Sequence, residues 1–383
     1  MTVVVVGGGV LGMMHALEAR RLGHHVIHLE REPAARGASV RNFGLIWVSG
    51  RAPGAELDLA RRARARWAEI AGEVPGIGFR PNGSLTLATD AAELQLLKEA
   101  ASRADADLRG FELLDQAAAR GINPALGGEF TGGLLGRMDA LVEPRLVPAA
   151  LRDHLQATAA PAGSYHWLPG REAVMVAGHA VADQTGAWHR GDLVVLCTGA
   201  AHTGMVGPHL AGRPQAGVGP QHSAGPGPAV RRVRLQMMQT LPYPERLTTS
   251  VADGDSLRYY PGYDLPGRQQ LPAQALEAAR ARAQLLLVQR PDGGLTIGDT
   301  HEYEEPFAFD VDENAYDHLR SRAQRLLGAR VPRVQRRWAG VYSQVTGDDL
   351  YHRSEVAPGV VLVTGAGGRG MTCAPAIAEE TFR

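Results

Sequence analysis

Gly7, Gly9 and Gly12 stand in the spacing Gly-x-Gly-x-x-Gly, directly after the apolar run 3–6 and at the mouth of a helical pattern that starts at Val10 and Leu11. Each glycine has its own physical reason: a tight turn, room for a pyrophosphate against bare backbone, and close approach of helix to sheet. The helix N-terminus then faces the phosphates. Glu30 ends the next apolar run, eighteen positions after Gly12, with Arg31 beside it. A carboxylate there hydrogen-bonds ribose hydroxyls and repels a 2′-phosphate, which favours FAD or NAD over NADP. Glycine turns after strands are common, so the rest of the chain must decide what this one holds.

The elements around these residues are legible from periodicity. A strand over 3–6, a helix over 10–22 closed by Gly23 and a strand over 26–29 make a βαβ unit of a parallel sheet covered on both faces. Helices are expected over 57–70 and 90–103, and over 143–155 with Pro144 near its start. A strand over 84–89 follows the turn Pro81-Asn82-Gly83. The strand 192–196 runs into Thr198-Gly199-Ala200, and 207–228 reads as loop or linker. Strands over 233–240, 257–260, 285–289 and 294–298, with Pro291-Asp292-Gly293 as a hairpin turn, assemble most economically as an antiparallel sheet. A strand over 360–363, a glycine loop over 365–370 and a helix over 371–380 return to the opening style. The fold class is therefore α/β plus α+β, with residues 1–50, 135–215 and 335–383 in the nucleotide-binding domain and 51–134 and 216–334 in a substrate domain.

Composition narrows the chemistry. A chain of 383 residues is long enough for two associated domains and an enclosed site. Forty basic residues balance forty acidic ones, so no net field draws nucleic acid or a membrane surface to it. Lys98 is the only lysine and sits in a helical stretch, which argues against Schiff-base chemistry. Cys197 and Cys373 lie far apart without metal-ligand spacing; they fit small buried residues in a reducing cytoplasm. The opening apolar run is too short for a signal peptide or a membrane span. His24, His25 and His28 have no matching carboxylates, so no metal site is expected. Met237 and Met238 read as strand packing.

Three further stretches carry a resemblance. Ser39-x-Arg41-Asn42-Phe43-Gly44, Asp192-Leu193-Val194-Val195-Leu196-Cys197-Thr198-Gly199 and Gly365-Ala366-Gly367-Gly368-Arg369-Gly370-Met371-Thr372 resemble the downstream flavin motifs of the D-amino-acid oxidase, glycine oxidase and sarcosine oxidase family. The resemblance implies a glutathione-reductase-like FAD-binding Rossmann domain with an interleaved antiparallel-sheet substrate domain. By the family pattern, Ser39, Arg41, Asn42 and Gly44 line the flavin's phosphate and ring, and Val174 offers backbone to adenine. Thr198 and Gly199 pack near pyrophosphate and ribose. Residues Gly367, Gly368, Arg369, Gly370, Met371 and Thr372 bring backbone amides to the pyrimidine edge. FAD is expected to be non-covalent, since Cys373 falls inside the last helix. Within the family, the Arg-Asn-Phe-Gly block, Trp338-Ala339-Gly340-Val341-Tyr342-Ser343 and Gly298-Asp299-x-His301-Glu302-Tyr303 resemble a bacterial clade proposed to oxidise aminophosphonates.

The resemblance implies oxidation of a small amine to an imine, which water hydrolyses to a carbonyl. Positioning is then the main contribution of the protein. An anionic substrate head needs a guanidinium fork, and Arg337, with Arg336 beside it, is the expected partner. Tyr259, Tyr260 and His301 are placed to touch the amine or anion, and Trp47 to wall the pocket. Oxygen or another acceptor reoxidises the flavin. A hydroxy-acid dehydrogenase and a non-catalytic flavin-binding subunit are the competing readings.

Overall fold

A computed structural model describes residues 1–158, 163–210 and 230–383. The β-branched run at the start becomes the strand Thr2–Val6, whose Val3, Val4 and Val5 are fully buried because both faces of the sheet are covered. It lies inside a six-stranded sheet in the order His352–Ala357, Val360–Thr364, Leu193–Leu196, Thr2–Val6, His25–Glu30, Tyr165–Pro169. All neighbours run parallel except the first pair, a hairpin. Helices Val10–Arg21, Ala55–Glu73, Val147–Ala157 and Gly370–Thr381 cover one face. The small sheet Ala173–Ala177, Ala180–Asp183 and Trp188–Arg190 covers the other, with Val181 packed among Val4, Val194 and Leu362.

Pro375 sits inside the Gly370–Thr381 helix and cannot donate to the carbonyl of Met371. The indole of the fully buried Trp67 takes that place, with Nε1 donating to Met371 O at 3.0 Å and Thr372 O at 3.1 Å. A side chain from the Ala55–Glu73 helix thus completes the first turn of the last one. Truncation of Trp67 to alanine would cost roughly 3–5 kcal/mol.

A second sheet has eight strands in the order Val334–Val345, Val230–Pro242, Gly294–Gly298, Leu286–Gln289, Ser250–Ala252, Ser84–Ala88, Gly132–Gly136, Phe111–Asp115. It is antiparallel apart from the Ser250–Ala252 and Ser84–Ala88 pair. The helix Glu313–Leu327 closes its outer face through Tyr316, Leu319, Ala323 and Leu326. Its inner face presents Leu235, Leu286 and Tyr342 toward Phe43 and Trp47. The strand Val334–Val345 pairs along its length with Val230–Pro242, while Leu59, Ala63 and Trp67 share the core beneath the six-stranded sheet.

Several expectations shift. Residues 257–260 are not a strand: Ser256–Tyr259 is a helical turn. Asp253 starts it, its carbonyl accepting from Ser256 N at 3.1 Å and its side chain from Asp255 N at 3.1 Å, so the local aspartate turn overrides the apolar pattern. The helix expected over 143–155 begins only at Val147, with Pro148 in its first turn, because Pro148 has no N–H to bond back to the carbonyl of Pro144. Of the loop expected over 207–228, Gly207–Leu210 is a helical turn and 211–228 lies outside the described residues. The strand Val334–Val345 and the helix Glu313–Leu327 were not anticipated. Among the described residues, no helix is long and apolar enough to cross a membrane.

Candidate functional site

A cavity of about 1410 Å³ runs from the Gly7 turn to the inner face of the larger sheet. At the first end the wall is mostly backbone. Gly7 has φ +104°, and a Cβ there would lie 2.2 Å from Cys197 O; at Gly12 it would lie 1.8 Å from Gly7 O. Those two glycines are therefore demanded by packing, whereas at Gly9 a Cβ would meet only Ser39 Oγ at 3.0 Å. Ser39 Oγ accepts from Val10 N at 2.8 Å and ties the loop that follows the second strand to the helix start. Beneath the turn, His28 Nε2 donates to Gly7 O at 3.0 Å while Nδ1 meets Tyr165 OH at 3.1 Å. Burial lowers this ring to about 4, so it stays neutral near pH 7, as the single proton on Nε2 requires.

Glu30 is in the cavity wall, its carboxylate fixed by Gly8 N at 2.5 Å and Glu32 N at 2.9 Å. Asn42 locks its loop from within, Nδ2 donating to Ala38 O and Ser39 O and Oδ1 accepting from Gly44 N. Arg41 donates to Ala339 O at 3.0 Å and so bridges that loop to the larger sheet. Gly7, Gly9, Val10, Leu11, Glu30, Arg31, Ser39, Arg41, Asn42, Val174, Thr198, Gly199, Gly367, Gly368, Arg369, Gly370 and Met371 all line the cavity. Gly12, Gly44 and Thr372 do not; they shape it from behind. Thr372 Oγ1 accepts from Trp47 N at 3.0 Å, and a Cβ at Gly44 would lie 2.1 Å from Val142 O.

The donor set here fits a dinucleotide. The N-termini of two helices, Val10–Arg21 and Gly370–Thr381, border one cavity, each presenting first-turn amides beyond the reach of its own helix ladder and the positive end of its dipole. Among the described residues, Thr198 Oγ1 is buried in the same wall without a hydrogen-bond partner, and a Cβ at Gly199 or Gly368 would meet nothing within 4 Å. Cys373 is fully buried, outside that wall, with burial raising its thiol to about 11.

At the other end the wall is made of side chains. Trp47 stacks on Tyr260 at 5.3 Å, Tyr260 meets the edge of Tyr259 at 5.0 Å, and Tyr259 stacks on His301 at 4.1 Å. Trp47 is held by its neighbours: Asp139 accepts from Val48 N and Ser49 N, and Arg109 Nη1 donates to Ser49 O and Arg51 O. His301 Nδ1 donates to Arg282 O at 3.1 Å. Burial pushes the phenols of Tyr259, Tyr260 and Tyr342 up, so all three stay neutral. Asp299, only 6% exposed, lies among them. Its Oδ1 accepts from Gln284 Nε2 at 3.2 Å and its Oδ2 stands 4.0 Å from His301 Nε2. Burial raises this carboxyl, against the opposing pull of His301 and the Gln284 bond.

Arg337 is not in the cavity wall. Its Nη2 lies 3.0 Å from Glu313 and its guanidinium 5.3 Å over the Tyr316 ring, because strand alternation turns it to the outer face. Arg336 is exposed and donates to Gln335 Oε1. The guanidinium groups that do line this end are Arg51, Arg232 and Arg258. Arg51 donates to Trp47 O at 2.8 Å, and Arg232 Nε to Glu305 at 3.0 Å. Arg258 donates from Nη2 to Pro272 O at 2.5 Å, while its buried Nε, 3.5 Å from Asp255, has no hydrogen bond among the described residues. Sequence reasoning missed Arg51 and Arg258, and quoted Asp299 only as part of a motif; the proximity of Arg51 to the Asn-Phe-Gly block was the available signal.

The whole chain, residues 2–383, matches the family model described as FAD dependent oxidoreductase. A curated chain of Rhizobium etli named as the thiamine biosynthesis oxidoreductase ThiO is 31% identical over 211 residues, which is 54% of this chain and 56% of that one. The likeness thus spans about half of the curated relative. Among solved structures, glycine oxidase from Geobacillus kaustophilus superposes with a TM-score of 0.74 at 19% identity, covering 99% of this chain and 93% of that one. L-proline dehydrogenase from P. horikoshii gives 0.72 at 17% identity, covering 99% and 91%.

Proposed function

The chain belongs to the family of FAD-dependent oxidoreductases, and on that premise we propose that it oxidises a small anionic amine, an amino acid or an aminophosphonate. The observation that carries this reading is the continuity of the cavity, which joins the glycine cradle to an aromatic pocket of Trp47, Tyr259, Tyr260, His301 and Asp299. Bound FAD supplies the acceptor for one hydride, the substrate leaving as an imine that water hydrolyses to a carbonyl and ammonia or an amine.

The chain's own residues do the positioning. Gly7, Gly9, Val10 and Leu11 face the diphosphate with bare backbone, Glu30 and Arg31 the adenosine ribose, and Val174 the adenine. Ser39, Arg41 and Asn42 hold the side of the flavin, while Gly367, Gly368, Gly370 and Met371 turn amides toward its pyrimidine edge, where negative charge develops on reduction. Described residues of 1–50, 135–210 and 335–383 supply this cradle, with the helix Ala55–Glu73 packed beneath it, and 74–134 and 230–334, joined by Trp47 and Tyr342, supply the bulk of the substrate side. Neutral phenols and an apolar indole exclude water around the reacting carbon. Arg258 takes the place expected for Arg337 as the partner of the substrate anion.

Anaerobic addition of amino acids, N-alkyl amino acids, aminophosphonates and the matching hydroxy acids to the holoprotein, following the oxidised-flavin band, tests this. Amines are expected to bleach the band and hydroxy acids to leave it. Bleaching by hydroxy acids alone would make the chain a hydroxy-acid dehydrogenase, and an unbleached, retained flavin a binding subunit.

A further inference from the structure

The cavity end that faces the larger sheet holds a carboxyl group for which the proposed hydride transfer has no stated use. Asp299 follows the strand Gly294–Gly298 and lies in the cavity wall, 6% exposed. No arginine or lysine pairs with it among the described residues: its contacts are a neutral amide, Gln284, and the distant Nε2 of His301. A buried carboxylate left this short of positive charge is costly, unless a ligand brings the missing cation. The surroundings select the kind of cation. Tyr259, Tyr260, Tyr342 and Trp47 offer aromatic rings, which favour an ammonium over a hydrated metal ion.

Resting on the amine-oxidation reading above, we propose that Asp299, with this aromatic wall, is the subsite for the substrate's protonated amine and accepts its proton. The ammonium N–H bond breaks, an O–H bond forms on the Asp299 carboxylate, and the amine keeps the lone pair that it needs to become an imine. No other species is consumed. Burial raises the Asp299 carboxyl toward the range where it can hold that proton. The groups that face it are His301, Tyr259 from the helical turn, Tyr260 just after it, and Tyr342 from the strand Val334–Val345, with Arg51 and Arg258 lining the same end. Gln284 Nε2 reaches both Asp299 Oδ1 and Tyr260 OH at 3.2 Å, and so fixes the carboxyl against the ring stack.

The test is binding, measured by calorimetry on the holoprotein, of two amines that have no hydrogen on the carbon bearing nitrogen. They are α-aminoisobutyrate and its phosphonate counterpart, with pivalate as the control that replaces the ammonium by methyl. Asp299→Asn is expected to weaken the better amine probe about 10- to 100-fold and leave pivalate unchanged. Equal weakening of amine and control, no change in either, or no binding of either amine by the wild type overturns the proposal. The wild type gives a second reading that does not depend on the variant folding. On acidification the amine's affinity falls as Asp299, whose carboxyl burial raises, takes up a proton, and the pivalate affinity does not. An affinity for the amine that does not fall likewise overturns it. In anaerobic flavin reduction, Asp299→Asn is expected to slow the reaction about a hundredfold near neutrality, with the deficit closing as pH approaches the substrate amine's own pKa. Asp299-dependent binding without bleaching by any amine would sink the oxidation reading while keeping the ammonium subsite. Bleaching with a variant profile like that of the wild type would sink only the subsite.

Discussion

The two ends of the cavity are built by opposite strategies. Around Gly7 the wall is main chain, and its side chains, Ser39, Asn42 and His28, serve mostly to hold that main chain in place. Around Asp299 the wall is side chain, contributed by residues near 47, 259, 284, 299 and 342. A backbone cradle recognises what all its ligands share, a diphosphate, and at Gly7 and Gly12 it leaves no room for an added atom. A side-chain wall recognises what distinguishes one substrate from another and can change residue by residue.

The strongest way to break this contrast is at Gly12. Gly12→Ala places a methyl group against Gly7 O, and we expect protein that retains no flavin, or no fold, read by the absorbance ratio of flavin to protein and by thermal melting. A stable yellow variant would show that the turn is not packed as described. Next is pH. Burial lowers both His15 and His28 to about 4, so the folded rings stay neutral where unfolded ones, near 6.5, take up protons. Their contribution is complete above about pH 6.5 and is lost progressively as pH falls toward 4, by roughly 3 kcal/mol for each ring. The melting temperature should fall as pH drops across that window, and His28→Gln should flatten that dependence. The smallest effects separate the arginines. Arg258→Ala is expected to weaken an anionic amine about tenfold more than an uncharged one. Arg337→Ala, which removes a partly exposed pair with Glu313, should change substrate affinity less than about twofold. Equal effects would return Arg337 to the site.

Legibility in the sequence follows the same division. The strand–turn–helix at the start, the glycine loop near residue 367 and the Glu30 strand end were readable because each is local: neighbours in sequence satisfy one another's hydrogen bonds and packing. The helical turn at 256–259 was misread because Asp253 starts a side-chain-directed turn in a stretch whose apolar pattern suits a strand. Arg337 was misassigned because nothing in a run of arginines tells which face of a strand each occupies until the partner strand Val230–Pro242 and the helix Glu313–Leu327 are in place. Asp299 draws its character from Gln284, Tyr260 and His301, of which only the last is close in the chain.

Trp67, bonded to the carbonyls that open the last helix, also fixes an order of events. The turn at Gly7 leaves the ribosome about 360 residues before the loop at Gly367. The strand Thr2–Val6 must meanwhile wait for Leu193–Leu196 at its side, and the helix Val10–Arg21 for Gly370–Thr381. Closure of this layer therefore depends on contacts between segments about 360 residues apart, so the pairing that completes it is long-range and slow to form.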